Sequence, residues 1–281
     1  MRSAGWLALL AACGSGCGRL ILVGRDEVAD GGGPLADNPP VGPSDAFAGD
    51  GSGDDAADSG LLPLAVPWST GFEGEAGDSW IPGNASACYT TAGASFQIVT
   101  SPVHTGKHAA AFAVDTAVAS PSQTRCLEQG VLPTAALYGA WYYVPAQATN
   151  AGNWNLLHFQ GADVADGTAA HGLWDVSLAN ASDGTLHAVV YDFLRSRLLQ
   201  TTYAVPVGTW FQLEVFLQRS AAGTGRFTLL TDGQVALDLT GIATDDSRWG
   251  QWFVGNFATA LSPASSTVYV DDVTIDPATS P

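Results

Sequence analysis

The chain has 281 residues and a formal net charge of −17 at pH 7, because 27 acidic residues face only 10 basic ones. Such an acidic balance argues against nucleic acid and against an anionic surface as a general partner of the chain. No apolar run approaches the ~20 residues that a membrane-spanning helix needs.

The first residues have the order of a secretory signal: Arg2 precedes an apolar run from Gly5 to Ala12. Leu10-Ala11-Ala12-Cys13 resembles the lipobox of bacterial lipoproteins, with Cys17 as a second candidate. The resemblance implies a signal peptide over residues 1–12 and lipid on Cys13, which would tether an exported protein to the outer membrane at the cell surface. An ordinary signal peptide that is cut nearby stays open as the alternative.

Residues 13–66 are acidic and rich in Gly, Pro, Ala and Ser. A segment of this composition buries too little apolar surface to offset its chain entropy, and acidic self-repulsion extends it. We therefore expect a disordered linker ahead of the folded domain.

Two cysteines, Cys88 and Cys126, lie in the remainder of the chain. Because an exported protein meets an oxidising compartment, the pair predicts a disulfide. Metal binding is a poor alternative, since neither residue has a close second cysteine or histidine in sequence.

Residues 67–281 have the two-residue periodicity of β-strands. The run from Gly208 to Gln218 alternates between two faces. One face carries only apolar residues, Phe211, Leu213, Val215 and Leu217, and the other carries both polar and aromatic residues. Asp232-Gly233 stands between two apolar runs, which is a strong hairpin signal. Further strands are predicted over Ser95–Thr100, His108–Val114, Ala136–Val144, Trp154–Gly161, Leu173–Ala179, Leu186–Phe193, Gln251–Phe257 and Thr267–Ile275. Short strands between turns predict an all-β antiparallel sandwich or barrel.

Three segments of this region resemble the concanavalin A-like jelly rolls. They are Thr70-Gly71-Phe72-Glu73 followed by Trp80, the run Val103–Ala110, and Val268–Val273. The group includes carbohydrate-binding modules, polysaccharide lyases, laminarinases and laminin-G-like modules. The resemblance implies one antiparallel β-sandwich, a jelly roll, over residues 67–281.

The same resemblance implies a structural Ca²⁺ between the opening and closing strands, held by Glu73 with Asp271 or Asp272. A hard cation with oxygen ligands would relieve the repulsion between carboxylates brought together there. The alternative is that these carboxylates face water at strand ends.

The main functional hypothesis is that the domain binds a polysaccharide as a monomer. Sugar C–H faces stack on aromatic rings, so Trp141, Tyr143 and Trp154, together with His187, are the candidate ligand-binding residues.

The rival hypothesis is a polysaccharide lyase that cleaves a uronate-containing glycan by β-elimination, which needs a base and a group that neutralises the developing charge. His158-Phe159-Gln160 resembles the Gln-x-His strand of alginate lyases, with the order reversed. Strict alternation places Trp154, His158 and Gln160 on one face, and Tyr191 completes the hypothetical catalytic set.

Two further readings stay open. One is a glycosidase whose carboxylate pair comes from different strands, such as Asp175 with Glu214. The other is an adhesion module with no sugar ligand.

Overall fold

The computed structural model describes residues 62–74, 80, 87–162, 170–245 and 247–278. The signal peptide, Cys13 and most of the predicted linker lie outside these residues, so lipid attachment stays a prediction. Within the described ranges, no helix has the length and apolar character needed to cross a membrane.

The described residues form seventeen β-strands and one 3₁₀ turn, Phe193–Arg195. The strands are β1 (Trp68–Thr70), β2 (Cys88–Thr90), β3 (Ala94–Val99), β4 (Ala109–Asp115), β5 (Ser122–Gly130), β6 (Ala135–Tyr143), β7 (Thr149–Asn150), β8 (Trp154–Ala162), β9 (His171–Asn180), β10 (Leu186–Asp192), β11 (Arg197–Ala204), β12 (Trp210–Gln218), β13 (Gly225–Thr231), β14 (Gln234–Ile242), β15 (Trp249–Ala258), β16 (Leu261–Ser262) and β17 (Ser265–Pro277).

Two antiparallel sheets stack to form a sandwich, as the sequence predicts. The first sheet has the order β14-β13-β12-β6-β17-β4-β3, with β1 paired to β17. The second sheet has the order β11-β10-β9-β8-β15-β5-β2. Strands β7 and β16 form a separate short pair.

Local sequence explains the individual elements. On β12, Phe211 and Leu213 face the core while Gln212 between them is half-buried. Between β13 and β14, Asp232 and Gly233 both have positive φ, at 49° and 72°. A two-residue turn with positive φ at both positions matches the twist of the strands that it joins, so the predicted hairpin is confirmed.

The core lies between the inward faces of the two sheets and is rich in aromatic side chains. The ring centroid of Trp252 in the second sheet lies 5.2 Å from that of Tyr138 in the first, and Trp174 stacks on Phe227 with centroids 4.3 Å apart. These four residues are fully buried, as are Trp154 and Tyr142. Each ring removes ~150–250 Å² from water, which corresponds to an upper estimate of about 4–6 kcal/mol of hydrophobic stabilisation apiece.

The predicted disulfide between Cys88 and Cys126 is confirmed. The two residues lie directly opposite each other on β2 and β5 and are separated by 38 positions in sequence. Closing a loop of this length stabilises the fold by about 4 kcal/mol on the chain-entropy model.

The sandwich begins slightly earlier than the sequence predicts. Leu64 is buried in the core, and its backbone N–H donates to the carbonyl of Val131 at 3.0 Å. The predicted linker ends in an apolar run, Leu62-Pro63-Leu64-Ala65-Val66, and Leu64 of this run docks in the core.

Candidate functional site

The outer face of the second sheet, which we call the site face, carries the polar side chains of greatest chemical interest. Strand register places Phe253, His158, Asp175 and Tyr191 side by side on β15, β8, β9 and β10. Directly opposed side chains in neighbouring strands have Cβ atoms about 4.5–5.5 Å apart. His158, Asp175 and Tyr191 therefore form one continuous row.

His158 and Asp175 form a buried pair. The Nδ1 atom of His158 lies 2.5 Å from Oδ1 of Asp175, and the two residues are only 4% and 1% exposed. With an ionised Asp175 and a neutral imidazole, Nδ1 of His158 donates to the carboxylate and Nε2 is the acceptor. Among the described residues, Nε2 of His158 has no hydrogen-bond partner.

The 3₁₀ turn Phe193–Arg195 is fixed by the buried carboxylate of Asp192. This carboxylate accepts hydrogen bonds from the backbone N–H and the Nη1 atom of Arg195, at 3.2 and 2.9 Å, and from Nε of Arg197 at 3.0 Å. Both arginines thus neutralise a carboxylate at the end of β10.

Phe193, at the start of this turn, packs on the row of polar side chains. Its ring centroid lies 4.7 Å from that of Tyr191 and 5.9 Å from that of His158, both edge-on. Gly172 makes room for it, since a Cβ there would come within 2.9 Å of the Phe193 ring. The turn therefore restricts the orientation of both His158 and Tyr191.

Arg125 is the second unusual group of the site face. It is only 5% exposed, and its Nη2 atom donates to Oδ1 of Asn155 at 2.5 Å. Its guanidinium carbon lies 4.7 Å from the ring centroid of Phe257 and 5.6 Å from that of Phe253. No carboxylate of the described residues forms an ion pair with Arg125, so a buried positive charge retains unused N–H donors.

Gly255 allows Arg125 to reach Asn155. Gly255 lies opposite Arg125 on β15, the strand between β5 and β8. A Cβ at this position would stand 2.4 Å from the carbonyl oxygen of Thr124 and 3.2 Å from Cγ of Arg125. The arginine side chain thus crosses β15 where that strand has no side chain.

A bulge in β8 decides which side chains of that strand face outward. Asn155 pairs with Ser177 and Leu157 with Val176, so Leu156 is one residue in excess over β9. The amide of Asn155 donates to the carbonyl of Leu157 at 2.8 Å, which leaves its oxygen for Arg125.

The prediction that Trp154 shares a face with His158 and binds ligand is wrong. Trp154 is fully buried in the core, and its Nε1 atom donates to Oδ1 of Asn256 at 3.0 Å. The extra residue in the bulge shifts the alternation, so that Asn155 takes the outward position.

Gln160 and His187 lie on the site face, at a distance from the row. Gln160 stands opposite Gln251, which in turn lies opposite Gln129 and donates to it at 3.1 Å. These three amides form a second row, about 7 Å from His158 along the strand. His187 lies four residues before Tyr191 on β10, which corresponds to about 13 Å.

The predicted residues Trp141 and Tyr143 lie on β6, on the outer face of the first sheet. Trp141 stacks on His104 with ring centroids 3.8 Å apart, and Tyr143 contacts the ring of Trp210. The expected ligand-binding set is therefore divided between opposite faces of the sandwich.

The hypothetical carboxylate pair of a glycosidase is divided in the same way. Asp175 lies on the site face, whereas Glu214 lies on the outer face of the first sheet, opposite Gly139. The thickness of the sandwich separates them, so they cannot act on one glycosidic bond.

The three predicted calcium ligands lie close together around Gly71. Asp271 accepts hydrogen bonds from the N–H groups of His104 and Thr105 at 2.9 and 3.2 Å, and Asp272 contacts Nδ1 of His104 at 2.6 Å. These carboxylates thus hold the turn that joins β3 to β4.

Glu73 completes this cluster by accepting from the N–H groups of Lys107 and His108 at 2.7 and 3.0 Å, and these bonds lower its pKa. Burial raises the pKa of Asp271 to about 6. In the part of the chain that the structure describes, no group of three His, Cys, Asp or Glu side chains is arranged to hold a metal ion. Calcium binding at Glu73, Asp271 and Asp272 stays a prediction.

Comparison with solved structures identifies the fold. A β-1,4-glucuronan lyase from Trichoderma reesei is similar with a TM-score of 0.53 and 15% identity, over 68% of this chain and 90% of the lyase. An alginate lyase from Aplysia kurodai is similar with a TM-score of 0.50 and 12% identity, over 76% of this chain and 100% of the lyase. The chain has the jelly-roll fold of these polysaccharide lyases. Neither a protein-family model nor a curated protein matches it in sequence.

Sequence reasoning missed Arg125 and the pairing of Asp175 with His158. The outward position of Arg125 could have been predicted from the sequence. Cys126 forms the disulfide and faces the core, so Arg125, the residue before it on the same strand, faces outward. Asp175 sits in the predicted strand Leu173–Ala179, but its partner depends on which strand lies beside it.

Proposed function

We propose that the site face binds a uronate-containing polysaccharide and cleaves it by β-elimination. One observation carries the proposal: among the described residues, the buried guanidinium of Arg125 has no carboxylate partner, and it lies on the same face as His158, whose Nε2 has no hydrogen-bond partner there. An unpaired buried cation is costly for a fold to keep, so it suits an anionic ligand. The fold shared with two lyases is consistent with this chemistry but does not establish it.

In the proposed reaction, Arg125 pairs with the uronate carboxylate and stabilises the negative charge that develops on it. Nε2 of His158 accepts the proton from the carbon next to that carboxylate. The resulting electron pair forms a carbon–carbon double bond and expels the glycosidic oxygen, which takes a proton from the Tyr191 hydroxyl. Asp175 stabilises the imidazolium and fixes the tautomer of His158.

Gln160 lies on the same face as His158, about 7 Å away along β8. Its place in the proposal is to bind polar groups of the bound polysaccharide next to the scissile bond. If Cys13 carries lipid, the site works at the cell surface on an external polysaccharide.

A second candidate is binding of the polysaccharide without cleavage. It is favoured by the low exposure of His158, which lies against Phe193 and Phe253. A base that stays covered when substrate is bound would not reach a proton.

The test is to incubate the domain with polyuronates of different sugar composition and with a neutral glucan, and to follow the ultraviolet absorbance of the unsaturated uronate product. Asp175→Asn should lower the turnover of a cleaved polyuronate by at least ~100-fold, since proton transfer by a positioned base contributes about 10²–10⁴-fold. The matched control is Asp238→Asn, which removes a carboxylate from the first sheet and should leave turnover unchanged.

The outcomes separate the hypotheses. Retention of a polyuronate on affinity gels without any unsaturated product would establish binding alone. Full turnover by the Asp175→Asn variant would show that His158 is not the base. An absence of both binding and cleavage by the wild-type domain would overturn the proposal.

A further inference from the structure

The site face continues beyond Arg125 onto β2, the edge strand of the second sheet. Cys88 lies opposite Cys126, and the next residue, Tyr89, lies opposite Arg125. Because side chains alternate along a strand, the disulfide points into the sandwich while Tyr89 and Arg125 point outward together. Tyr89 is half-buried and contacts Oε1 of Gln123 with its hydroxyl at 3.4 Å.

Strand β2 is held by the disulfide, by its pairing with β5 and by contacts at its C-terminal end, where Oγ1 of Thr91 accepts from the N–H of Gln123 at 3.0 Å. The strand has three residues, and within the described ranges it pairs only with β5. At its ends, the N–H of Leu127 donates to the carbonyl of Ala87 at 2.7 Å, and the N–H of Thr91 donates to that of Gln123 at 2.9 Å. A strand this short is prone to fray at a sheet edge, and the covalent link lies at Cys88, directly before Tyr89.

We propose that Tyr89 is a substrate-binding residue and that the Cys88–Cys126 disulfide positions it. The inference rests on the proposed function of the site face. Tyr89 lies at the edge of the site face, and an aromatic ring with a hydroxyl can stack on a sugar ring and bind one of its polar groups.

The position of Tyr89 defines its role. Strands β5 and β15 separate β2 from β8, and Tyr89 is level with Gly255, two residues along β15 from the partner of His158. Three strand spacings and this offset place Tyr89 and His158 about 16 Å apart. This distance is too great for Tyr89 to contact the sugar that reacts at His158. Tyr89 therefore binds a neighbouring sugar of the polymer, and its loss should weaken binding and leave the chemical step intact.

The test is a double-mutant cycle with steady-state kinetics on the best polyuronate substrate. Tyr89→Ala should raise KM about tenfold with kcat within twofold of wild type, and Tyr89→Phe should restore most of the affinity. Cys88→Ser combined with Cys126→Ser should raise KM by a similar factor. Adding Tyr89→Ala to the disulfide-free protein should then cause no further increase, since both changes act through one side chain.

A control separates positioning from general loss of stability. Leu237→Ala removes core packing from the first sheet, far from β2, and should leave KM unchanged while lowering the melting temperature. All measurements are made well below the melting temperature of the least stable variant, with folding checked by circular dichroism.

Hydrogen exchange gives a readout that does not need activity. In the disulfide-free protein, the amides of Thr91 and Leu127 should exchange at least tenfold faster, while the amides of β12 change little. Additive KM effects, or unchanged exchange at Thr91 and Leu127, would overturn the positioning role. If wild type neither binds nor cleaves any polyuronate, the proposed function fails and the binding role of Tyr89 fails with it, whereas the exchange result still decides whether the disulfide holds β2.

Discussion

Replacing Arg125 by Met tests whether the charge of this arginine serves ligand binding or the stability of the fold. The variant removes the guanidinium and keeps an unbranched apolar chain between the rings of Phe253 and Phe257. If the arginine is kept for an anionic ligand, the fold should tolerate its loss while ligand binding does not.

The contacts of Arg125 set the expected size of the stability change. Removing a buried charge relieves a desolvation cost of several kcal/mol. Against this, the variant loses one charge-assisted bond to Asn155, worth about 1.5–3 kcal/mol, and cation–π contacts worth up to about 2 kcal/mol. These effects largely cancel, so the unfolding free energy should change by less than about 2 kcal/mol, or roughly 4–8 °C in melting temperature.

Binding should respond much more strongly. Loss of a charge-assisted bond to a uronate carboxylate, at about 1.5–3 kcal/mol, corresponds to a roughly 10- to 100-fold weaker affinity. Thermal melts together with affinity gels containing polyuronate measure both quantities on one protein. The control is Arg226→Met, which breaks an ion pair with Asp238 on the first sheet and should leave binding unchanged. A fall in melting temperature beyond about 10 °C with unaltered binding would show that Arg125 is structural.

Two further predictions concern Gly255 and Glu73. Gly255→Ala would place a Cβ 2.4 Å from the carbonyl oxygen of Thr124 at a φ of +153°, so we expect a loss of about 2–5 kcal/mol in chemical denaturation together with weaker polyuronate binding. Gly184→Ala, where φ is +86° but no atom lies within 4 Å, should cost only about 1 kcal/mol. The backbone hydrogen bonds to Glu73 lower its pKa below the usual 4.5, so its ionised form stabilises the fold above that pH and the contribution is lost as the pH falls through the lowered value. The difference in melting temperature between wild type and Glu73→Gln should therefore shrink on acidification from neutral pH to about pH 3, and a constant difference would contradict this assignment.

Much of the fold could be predicted because its determinants are local. Alternation along β12, the positive-φ turn at Asp232-Gly233 and the pairing of Cys88 with Cys126 depend on short segments or on the chemistry of one residue type. Short edge strands such as β2 carry too few residues for a periodic signal, and they form because the sheet and the disulfide support them.

The site could be predicted only in part, for two physical reasons. A β-bulge is set by pairing with neighbouring strands, so the sequence around Trp154 gave no sign that alternation would shift there. Contacts between side chains from different strands, such as His158 with Asp175 and Arg125 with Asn155, depend on sheet order. That order is decided by packing of the whole domain and cannot be inferred from any one strand.

The extra residue in β8 has a consequence for comparing this chain with its homologues. Removing Leu156 would restore plain alternation with Trp154 still inward and His158 still outward. Length differences in this stretch should therefore be placed as a gap at Leu156. An alignment that places the gap elsewhere will align Trp154, a core residue, with residues of other chains that face the site. Pairs of positions that vary together would then be assigned to the wrong residues.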